Sequence, residues 1–387
     1  MAGARPEAGA GRRPGRKTAT LAGLAVAMAA GCGGSPSRAE RLPPGDYTPR
    51  RVSSELVMPP AQALRLRDDA LARARVWRTP DVPVEEADLL RNPPDGFRAT
   101  EEPTCRFLPR SSDGRTPKFR CVLAGGRVIK VKYGEMNHER LAEVAGSRLA
   151  LALGFGADRM YVVRRVTCWG CPRYPYPRFP WLDALLADAG RARTFDHAVI
   201  EGLFPGREIR TAEREGWSWP ELDRVDQARG GATRAELDAL RLFAVFLNHW
   251  DNKADNQRLT CLPGGEQPDG GCAAPFALVH DLGATFGPRR ADLEAWRAGP
   301  VWQDAAACAV SMRGLPFGGG TFTDRRIGEE GRRFFAAQVQ RLRRAQIHDL
   351  FVGARFGETT GGDVEAWVSA FEHRLRQIVD RGPCPEA

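Results

Sequence analysis

The segment His249-Trp-Asp-Asn-Lys-Ala-Asp-Asn256 and the later run Phe276-Ala-Leu-Val-His-Asp-Leu-Gly283 are the most informative stretches of this 387-residue chain. The first follows an apolar helical pattern and, with Gln257, contains seven polar residues in nine positions. Such polarity after a buried helix is costly unless the side chains face water or line a site. The second is a short apolar strand pattern that ends in a carboxylate, Asp281, before a Gly turn.

Asp251 and Asn256 are five positions apart. This is the spacing by which phosphotransferase loops place a carboxylate near an attacking hydroxyl and an amide oxygen on a magnesium ion. Asp281, at the end of a strand, suits a metal that bridges nucleotide phosphates. Each residue alone is an ordinary loop or capping residue. The two segments in this order predict a site for a nucleotide and a divalent metal.

Lysine use points to the same chemistry. Only five of the 57 basic residues are Lys, so each is a candidate for a position that needs an ammonium on a flexible stem. Gly114 begins a turn that leads to Lys118, and its backbone N–H groups and the lysine can cover phosphates. Strand alternation puts Lys130 and Lys132 on one face, and we favour Lys132 as the phosphate ligand. Glu143, on an amphipathic helix, is its predicted partner.

The order of patterns predicts an α+β fold with a small β-rich lobe followed by a larger helical lobe. Short apolar runs separated by Gly turns after residue 104 predict an antiparallel meander of three strands. Apolar side chains at helical spacing and later β-like runs extend this prediction. The predicted helices are 60–78, 139–153, 235–249, 329–351 and 363–380, and the later β-like runs are 160–166 and 197–203.

Residues 1–31 have the layout of a secretory signal, with a basic start and an apolar run that is too short to span a membrane. The sequence Ala29-Ala-Gly-Cys32 resembles a bacterial lipobox, which predicts membrane anchoring through a lipidated Cys32; a simply cleaved signal is the alternative. The predicted divisions are a signal peptide 1–31, a tether and Pro-rich arm 32–98, and lobes 99–204 and 205–384.

Eight cysteines remain beyond Cys32. An even number in an exported chain is typical of disulfides. The alternative is a zinc site, because Cys168-Trp-Gly-Cys171 has the spacing of a metal knuckle. Pairing each cysteine with its sequence neighbour, and the last two by elimination, gives Cys105–Cys121, Cys168–Cys171, Cys261–Cys272 and Cys308–Cys384.

Composition and charge exclude several classes of protein. With 42% hydrophobic and 27% charged residues, the chain is not a collagen, a coiled coil, a multispan membrane protein or a wholly disordered chain. The formal charge is +9, part of which belongs to the leader. Beyond the leader no dense basic run contains interleaved aromatic residues, so we expect no nucleic-acid partner.

Several segments resemble one family of enzymes. The segment Gly114-Arg-Thr-Pro-Lys118 through Lys132-Tyr-Gly134 is similar to the phosphate loop and lysine strand of HipA-type kinases, and the helix from Glu143 resembles the helix that follows it. The run 197–206 resembles the hinge, and the segments around Asp251 and Asp281 resemble the catalytic loop and the metal turn. The chain thus resembles the atypical kinases of the HipA and phosphatidylinositol 3/4-kinase-like group, and also secretory-pathway kinases of the Golgi casein kinase type.

The resemblance implies a two-lobed protein-kinase-like fold that uses ATP and Mg²⁺ (or Mn²⁺). It implies Lys132 on the nucleotide phosphates with Glu143 as its partner, Asp251 as the base or orienting carboxylate, and Asn256 and Asp281 on the metal. The acceptor is expected to be a hydroxyl of a protein or a small molecule. Because ATP is scarce outside the cytoplasm, the alternative is a pseudokinase-like surface lipoprotein that binds a nucleotide or a partner without turnover.

Overall fold

The computed structural model describes residues 42–50, 58–110, 116–135, 137–173, 175, 185–188, 190–315, 319–359 and 362–385. The predicted signal peptide, Cys32 and Gly114 lie outside the described residues. None of the described helices combines the length and the apolarity that are needed to cross a membrane.

The N-terminal part of the described chain is built on a seven-stranded sheet in the order β4-β7-β3-β2-β1-β5-β6. The predicted meander is confirmed, since β1, β2 and β3 pair antiparallel in succession. Strand β5 lies parallel to β1, which the sequence did not indicate. The strands of this sheet are β1 (Thr104–Leu108), β2 (Lys118–Leu123), β3 (Val128–Lys132), β4 (Arg159–Val162), β5 (Arg165–Trp169), β6 (Ala192–Asp196) and β7 (Val199–Gly202).

Alternation along β3 explains which of its residues reach the site. Ile129 and Val131 are buried in the small apolar core under the sheet. Lys130 and Lys132 therefore share the opposite face of the strand. The turn that enters β3 contains Gly126 at φ +82°, and a Cβ there would lie 2.6 Å from a backbone oxygen of Thr48. Only glycine satisfies both requirements.

The C-terminal part is mainly helical, so the predicted α+β class, with a β-rich part followed by a larger helical part, is confirmed. Its central helix α3 begins at the capping box of Thr233 and Glu236 and ends at Asn248, which has φ +57°. The helices are α1 (Pro60–Ala72), α2 (His138–Ala152), α3 (Arg234–Leu247), α4 (Leu293–Ala298), α5 (Glu329–Gln340), α6 (Arg344–Gly353), α7 (Phe356–Thr359) and α8 (Val364–Val379). The strands of this part are β8 (Arg207–Glu208), β9 (Gln257–Cys261), β10 (Pro275–Val279), β11 (Ala309–Val310) and β12 (Arg325–Arg326).

Three elements differ from the sequence prediction. The helix predicted over 60–78 ends at Ala72, and Arg75 then pairs with Phe276 of β10. The helix predicted over 329–351 is divided into α5 and α6, because Arg343 has extended backbone angles and its N–H donates to Oε1 of Gln346 at 3.0 Å. This hydrogen bond starts a new helix where the apolar periodicity continues. The β-like run 160–166 is likewise divided between β4 and β5, which lie at different places in the sheet.

Four disulfides link the described cysteines, and they are the four predicted pairs. Cys168 and Cys171 bond to each other, so this pair does not form the alternative zinc site. The bonded residues of Cys308–Cys384 are 76 positions apart, whereas those of Cys168–Cys171 are three apart.

We expect the disulfide with the longest loop to stabilise the fold most, because it removes the most chain entropy from the unfolded state. Replacing both Cys308 and Cys384 by Ser should lower the free energy of unfolding by about 4 kcal/mol, against about 2 kcal/mol for the same change at Cys168 and Cys171. Chemical denaturation of the two variants measures both values. Equal losses, or a larger loss at Cys168 and Cys171, would contradict this account.

Candidate functional site

Lys132, the last residue of β3, lies at the centre of the site. Its side chain is fully buried, and its ammonium donates a hydrogen bond to the carboxylate of Glu143 on α2. The same Nζ lies 3.1 Å from Oδ1 of Asp281 and 3.7 Å from Oε2 of Glu201. Burial alone would lower the pKa of Lys132, but the surrounding carboxylates outweigh it and raise the pKa well above 10.5. The ammonium is therefore charged and shared by three carboxylates.

Glu143 and Glu201 differ in how strongly they are ionised. Burial raises the pKa of Glu143 to about 7, against the opposing effect of Lys132. Burial also acts on Glu201, but Lys130 and Lys132 outweigh it and lower its pKa to about 2. Nζ of Lys130 lies 2.6 Å from Oε2 of Glu201. Glu201 was not predicted from the sequence, where its signal is a single carboxylate within the apolar strand β7.

Asp281 follows β10 and has φ +51°, a conformation that turns the chain sharply towards α2. Its side chain is 27% exposed. Burial would raise the pKa of Asp281, but the lysines at 132, 130 and 118 lower it well below 3.8, so the group is ionised. A Cβ added to Gly146 on α2 would lie 3.1 Å from Cβ of Leu282. The close contact sets the distance between α2 and this turn.

The predicted catalytic loop and the predicted metal turn are joined through their backbones. The N–H of Trp250 donates to the carbonyl of Ala284 at 3.1 Å. The N–H of His280 donates to the carbonyl of Asn256 at 2.9 Å. Asp251, Asn256 and Asp281 are therefore brought to one site by hydrogen bonds that do not involve their side chains.

Asp251 and Asn256 present unused oxygen atoms. Oδ1 of Asp251 is buried and accepts no hydrogen bond from the described residues. Burial raises the pKa of this carboxyl, although Lys253, 4.0 Å from its Oδ2, opposes the effect. The side-chain amide nitrogen of Asn256 donates to the backbone carbonyl of Asp251 at 2.6 Å. This bond uses the nitrogen, and within the described chain nothing donates to the amide oxygen.

Lys118, on β2, lies opposite Lys132 in the antiparallel register. It is 4% exposed, and it forms no ion pair or hydrogen bond with any described residue. Burial and then the neighbouring Lys132 lower its pKa. A buried, unpaired ammonium favours an anionic ligand. Near it is a cleft of about 300 Å³ lined by Thr116, Pro117, Gly134, Asn137, His138, Glu139, Arg289 and Arg290.

A second charge network supports the strand that carries Asp281. Asp158 is buried and receives two hydrogen bonds from Arg258, at 2.9 and 2.8 Å. Nδ1 of His280 lies 2.5 Å from Oδ2 of Asp158. Asp158, Glu201 and His280 are close enough to surround a cation, but Arg258 and the lysines already neutralise the two carboxylates. We therefore interpret this network as structural.

No protein-family model matches the chain, and no curated protein matches it. Among solved structures, the crystal structure of a Helicobacter pylori proinflammatory kinase, CtkA, is similar to this chain with a TM-score of 0.37 and 11% identity. The similarity covers 73% of this chain and 94% of that one.

His249, the first residue of the predicted catalytic loop, gives a test of burial in this region. It is fully buried, neither ring nitrogen has a described partner, and burial lowers its pKa from 6.5 to about 4. Below pH 6.5 the unfolded chain binds a proton that the folded protein refuses, so acid favours unfolding. We expect His249 to make the free energy of unfolding fall by about 2 kcal/mol between pH 7 and pH 5.

The measurement is chemical denaturation at both pH values, for the wild type, His249→Leu and His373→Gln. His373 is exposed and serves as the matched control. Relative to the wild type, the free energy of unfolding of His249→Leu should rise by about 2 kcal/mol between pH 7 and pH 5, and that of the control should follow the wild type. An unchanged pH dependence in His249→Leu would contradict the burial of a neutral imidazole.

Proposed function

We propose that the protein is an exported, lipid-anchored, ATP-dependent phosphotransferase with a two-lobed kinase-like fold, similar to the HipA and phosphatidylinositol 3/4-kinase-like group. The main support is the buried ammonium of Lys132, which contacts both the helix carboxylate Glu143 and the turn carboxylate Asp281. A lysine is almost never fully buried in a protein unless its charge is paired. The combination of strand lysine, helix glutamate and turn aspartate orients nucleotide phosphates in kinases.

The cationic side chains suit a polyphosphate. Lys132 is charged, and it neutralises phosphate oxygens in this proposal while Glu143 fixes its direction. Lys118 supplies a second buried ammonium, which forms no ion pair with a described residue. Together they provide two ammonium groups that are removed from water, where electrostatic attraction for an anion is strong.

The oxygen donors suit a hard divalent cation. Asp281 is ionised and partly exposed, and the amide oxygen of Asn256 is unused, so these two residues would hold Mg²⁺ or Mn²⁺. Such an ion would offset the negative charge of the phosphates and of the leaving group.

Asp251 has the properties expected of the residue that orients the acceptor. Its buried, unpaired Oδ1 can accept a hydrogen bond from a hydroxyl, and its raised pKa makes it a better proton acceptor than an exposed aspartate. The hydroxyl oxygen forms a bond to the γ-phosphorus as the bond from that phosphorus to the ADP oxygen breaks, and the hydroxyl proton passes to Asp251. The products are a phosphorylated acceptor and ADP.

The proposed location is the outer side of the bacterial membrane, with Cys32 as the lipid anchor. The support is the leader sequence of residues 1–31 and the four disulfides, which persist in oxidising compartments.

The first test is thermal stability of the disulfide-bonded chain with ATP and Mg²⁺ or Mn²⁺. A ligand present at a hundred times its dissociation constant should stabilise the wild type by about 2.7 kcal/mol. Asp281→Ala should remove the metal-dependent part of this shift, whereas Asp255→Ala, at an exposed carboxylate beside Asn256, should retain it. If no nucleotide and metal combination shifts the wild type, the proposal is wrong.

The second test separates binding from transfer. Asp251→Ala should retain the stabilisation by nucleotide and metal but reduce transfer of the γ-phosphoryl group by at least about a hundredfold, the usual contribution of a positioned base. Formation of ADP from ATP measures the rate, with Asp255→Ala as the matched control. Full activity of Asp251→Ala would refute its role, and binding without turnover in the wild type would support the pseudokinase-like alternative.

A further inference from the structure

Residues 84–97 form one part of the predicted tether and arm 32–98, and only this part is called the arm below. It contacts the helix that carries Glu143. Arg148 of α2 donates to the carbonyls of Leu89 at 3.0 Å and Leu90 at 2.9 Å. Its second terminal nitrogen donates to Oδ1 of Asn92 at 2.7 Å. One side chain thus fixes α2 to three residues of the arm, Leu89, Leu90 and Asn92.

The arm is held at its beginning by the helical part of the protein. The side-chain amide of Gln346, on α6, donates to the carbonyls of Val84 and Ala87, both at 2.9 Å. Val84 is fully buried in the main core. This end of the arm therefore cannot move without exposing apolar surface and breaking buried hydrogen bonds.

The arm is held at its end by the sheet. The side chain of Asn92 pairs with the backbone of Val162 on β4, through bonds of 3.0 and 2.7 Å. Asp95 contacts Arg159 at 3.0 Å and the hydroxyl of Tyr161 at 2.9 Å. Because both ends are fixed, the arm is a rigid support for α2.

The environment of Arg148 explains why its position is well defined. The residue is 5% exposed and has no carboxylate within ion-pair distance among the described residues, and burial lowers its pKa to about 10. A buried cation that is held only by neutral acceptors needs each of them. On the other side, a Cβ added to Gly353 of α6 would lie 2.3 Å from Nη1 of Arg148 and 2.4 Å from the carbonyl of Leu90.

Glu143 and Arg148 are five residues apart, which places them about 140° apart around the helix. Glu143 contacts Lys132 on one side of α2, and Arg148 contacts the arm on another. A shift of α2 by about 1 Å is enough to disrupt an oriented contact of this kind.

We propose that the arm is an intramolecular clamp for α2, and that Arg148 is a positioning residue that keeps Glu143 in contact with Lys132. The consequence for catalysis rests on the proposed function, but the structural relation between Arg148 and Lys132 does not.

The test measures how fast each lysine is acylated, and it can follow every lysine because the chain has few of them. Outside the leader the chain has only Lys118, Lys130, Lys132 and Lys253, so an amine-acylating reagent followed by peptide mass spectrometry reports on each one. Lys132 should react slowly in the wild type because it is fully buried and paired. Arg148→Met should increase its reaction rate, relative to Lys253, by on the order of tenfold if α2 is released.

The matched control is Arg341→Met. Arg341 pairs with Glu85 of the same arm at 2.7 Å, but on the surface and away from α2, so its loss should leave Lys132 protected. Arg148→Lys is the second variant, for use if Arg148→Met does not fold. It keeps the charge but loses the forked geometry, and it should increase the reaction rate of Lys132 by less than Arg148→Met is expected to. An unchanged rate at Lys132 in a folded Arg148 variant would overturn the clamp.

A second readout separates this proposal from the proposed function. If Arg148 acts through Glu143, Arg148→Met should reduce nucleotide-dependent phosphoryl transfer on the order of tenfold when it is introduced into the wild-type chain. The same change should cause no further loss when it is introduced into the Glu143→Gln variant. If the rate losses of the two single variants multiplied in the double variant, the positioning role of Arg148 would be overturned. Increased labelling of Lys132 in a protein that binds no nucleotide would support the clamp and refute the nucleotide site.

Discussion

The buried ammonium of Lys132 is the interaction on which the rest of the structure depends. Its partners come from three elements that are far apart in sequence, namely α2, β7 and the turn after β10. A charge of this kind is costly in the interior unless all its partners are in place. The sheet order puts β3 between β2 and β7, so Lys118 and Glu201 lie on the strands beside Lys132. Lys118, Lys130 and Lys132 then share one region with the carboxylates of Glu143, Glu201 and Asp281.

Two buried arginines that lie outside the site fix the helices next to its residues. Arg148 fixes α2, and Arg374 of α8 fixes the end of α3, where the loop to Asp251 begins. Arg374 donates to the carbonyls of Phe246 and Val245, both at 3.0 Å. Burial lowers its pKa to about 9. Because a guanidinium can donate to several carbonyls from one plane and an ammonium cannot, this chain uses Arg for structural support and keeps its few lysines near the site.

The sequence indicated the site residues whose type or spacing is unusual. Lys132 was recognisable because lysine is scarce, and Glu143 because a carboxylate interrupts an apolar helical face. Glu201 and Asp158 could not be recognised from the sequence as residues of these charge networks. Their ion pairs depend on the strand order, and Asp158 and Arg258, for example, are 100 positions apart in the chain. Nor could the sequence indicate the break between α5 and α6, because the apolar period continues through it and a single capping hydrogen bond decides the local structure.

The pattern of the four disulfides has a consequence for how the chain matures. Eight cysteines can be joined in 105 ways, and the observed set joins the first to the second, the third to the fourth, and so on along the chain. An oxidase that acts on cysteines as they emerge during synthesis produces this connectivity directly. The protein is therefore expected to reach its native pairing without an isomerase, even though its last bond must wait until Cys384 has been synthesised.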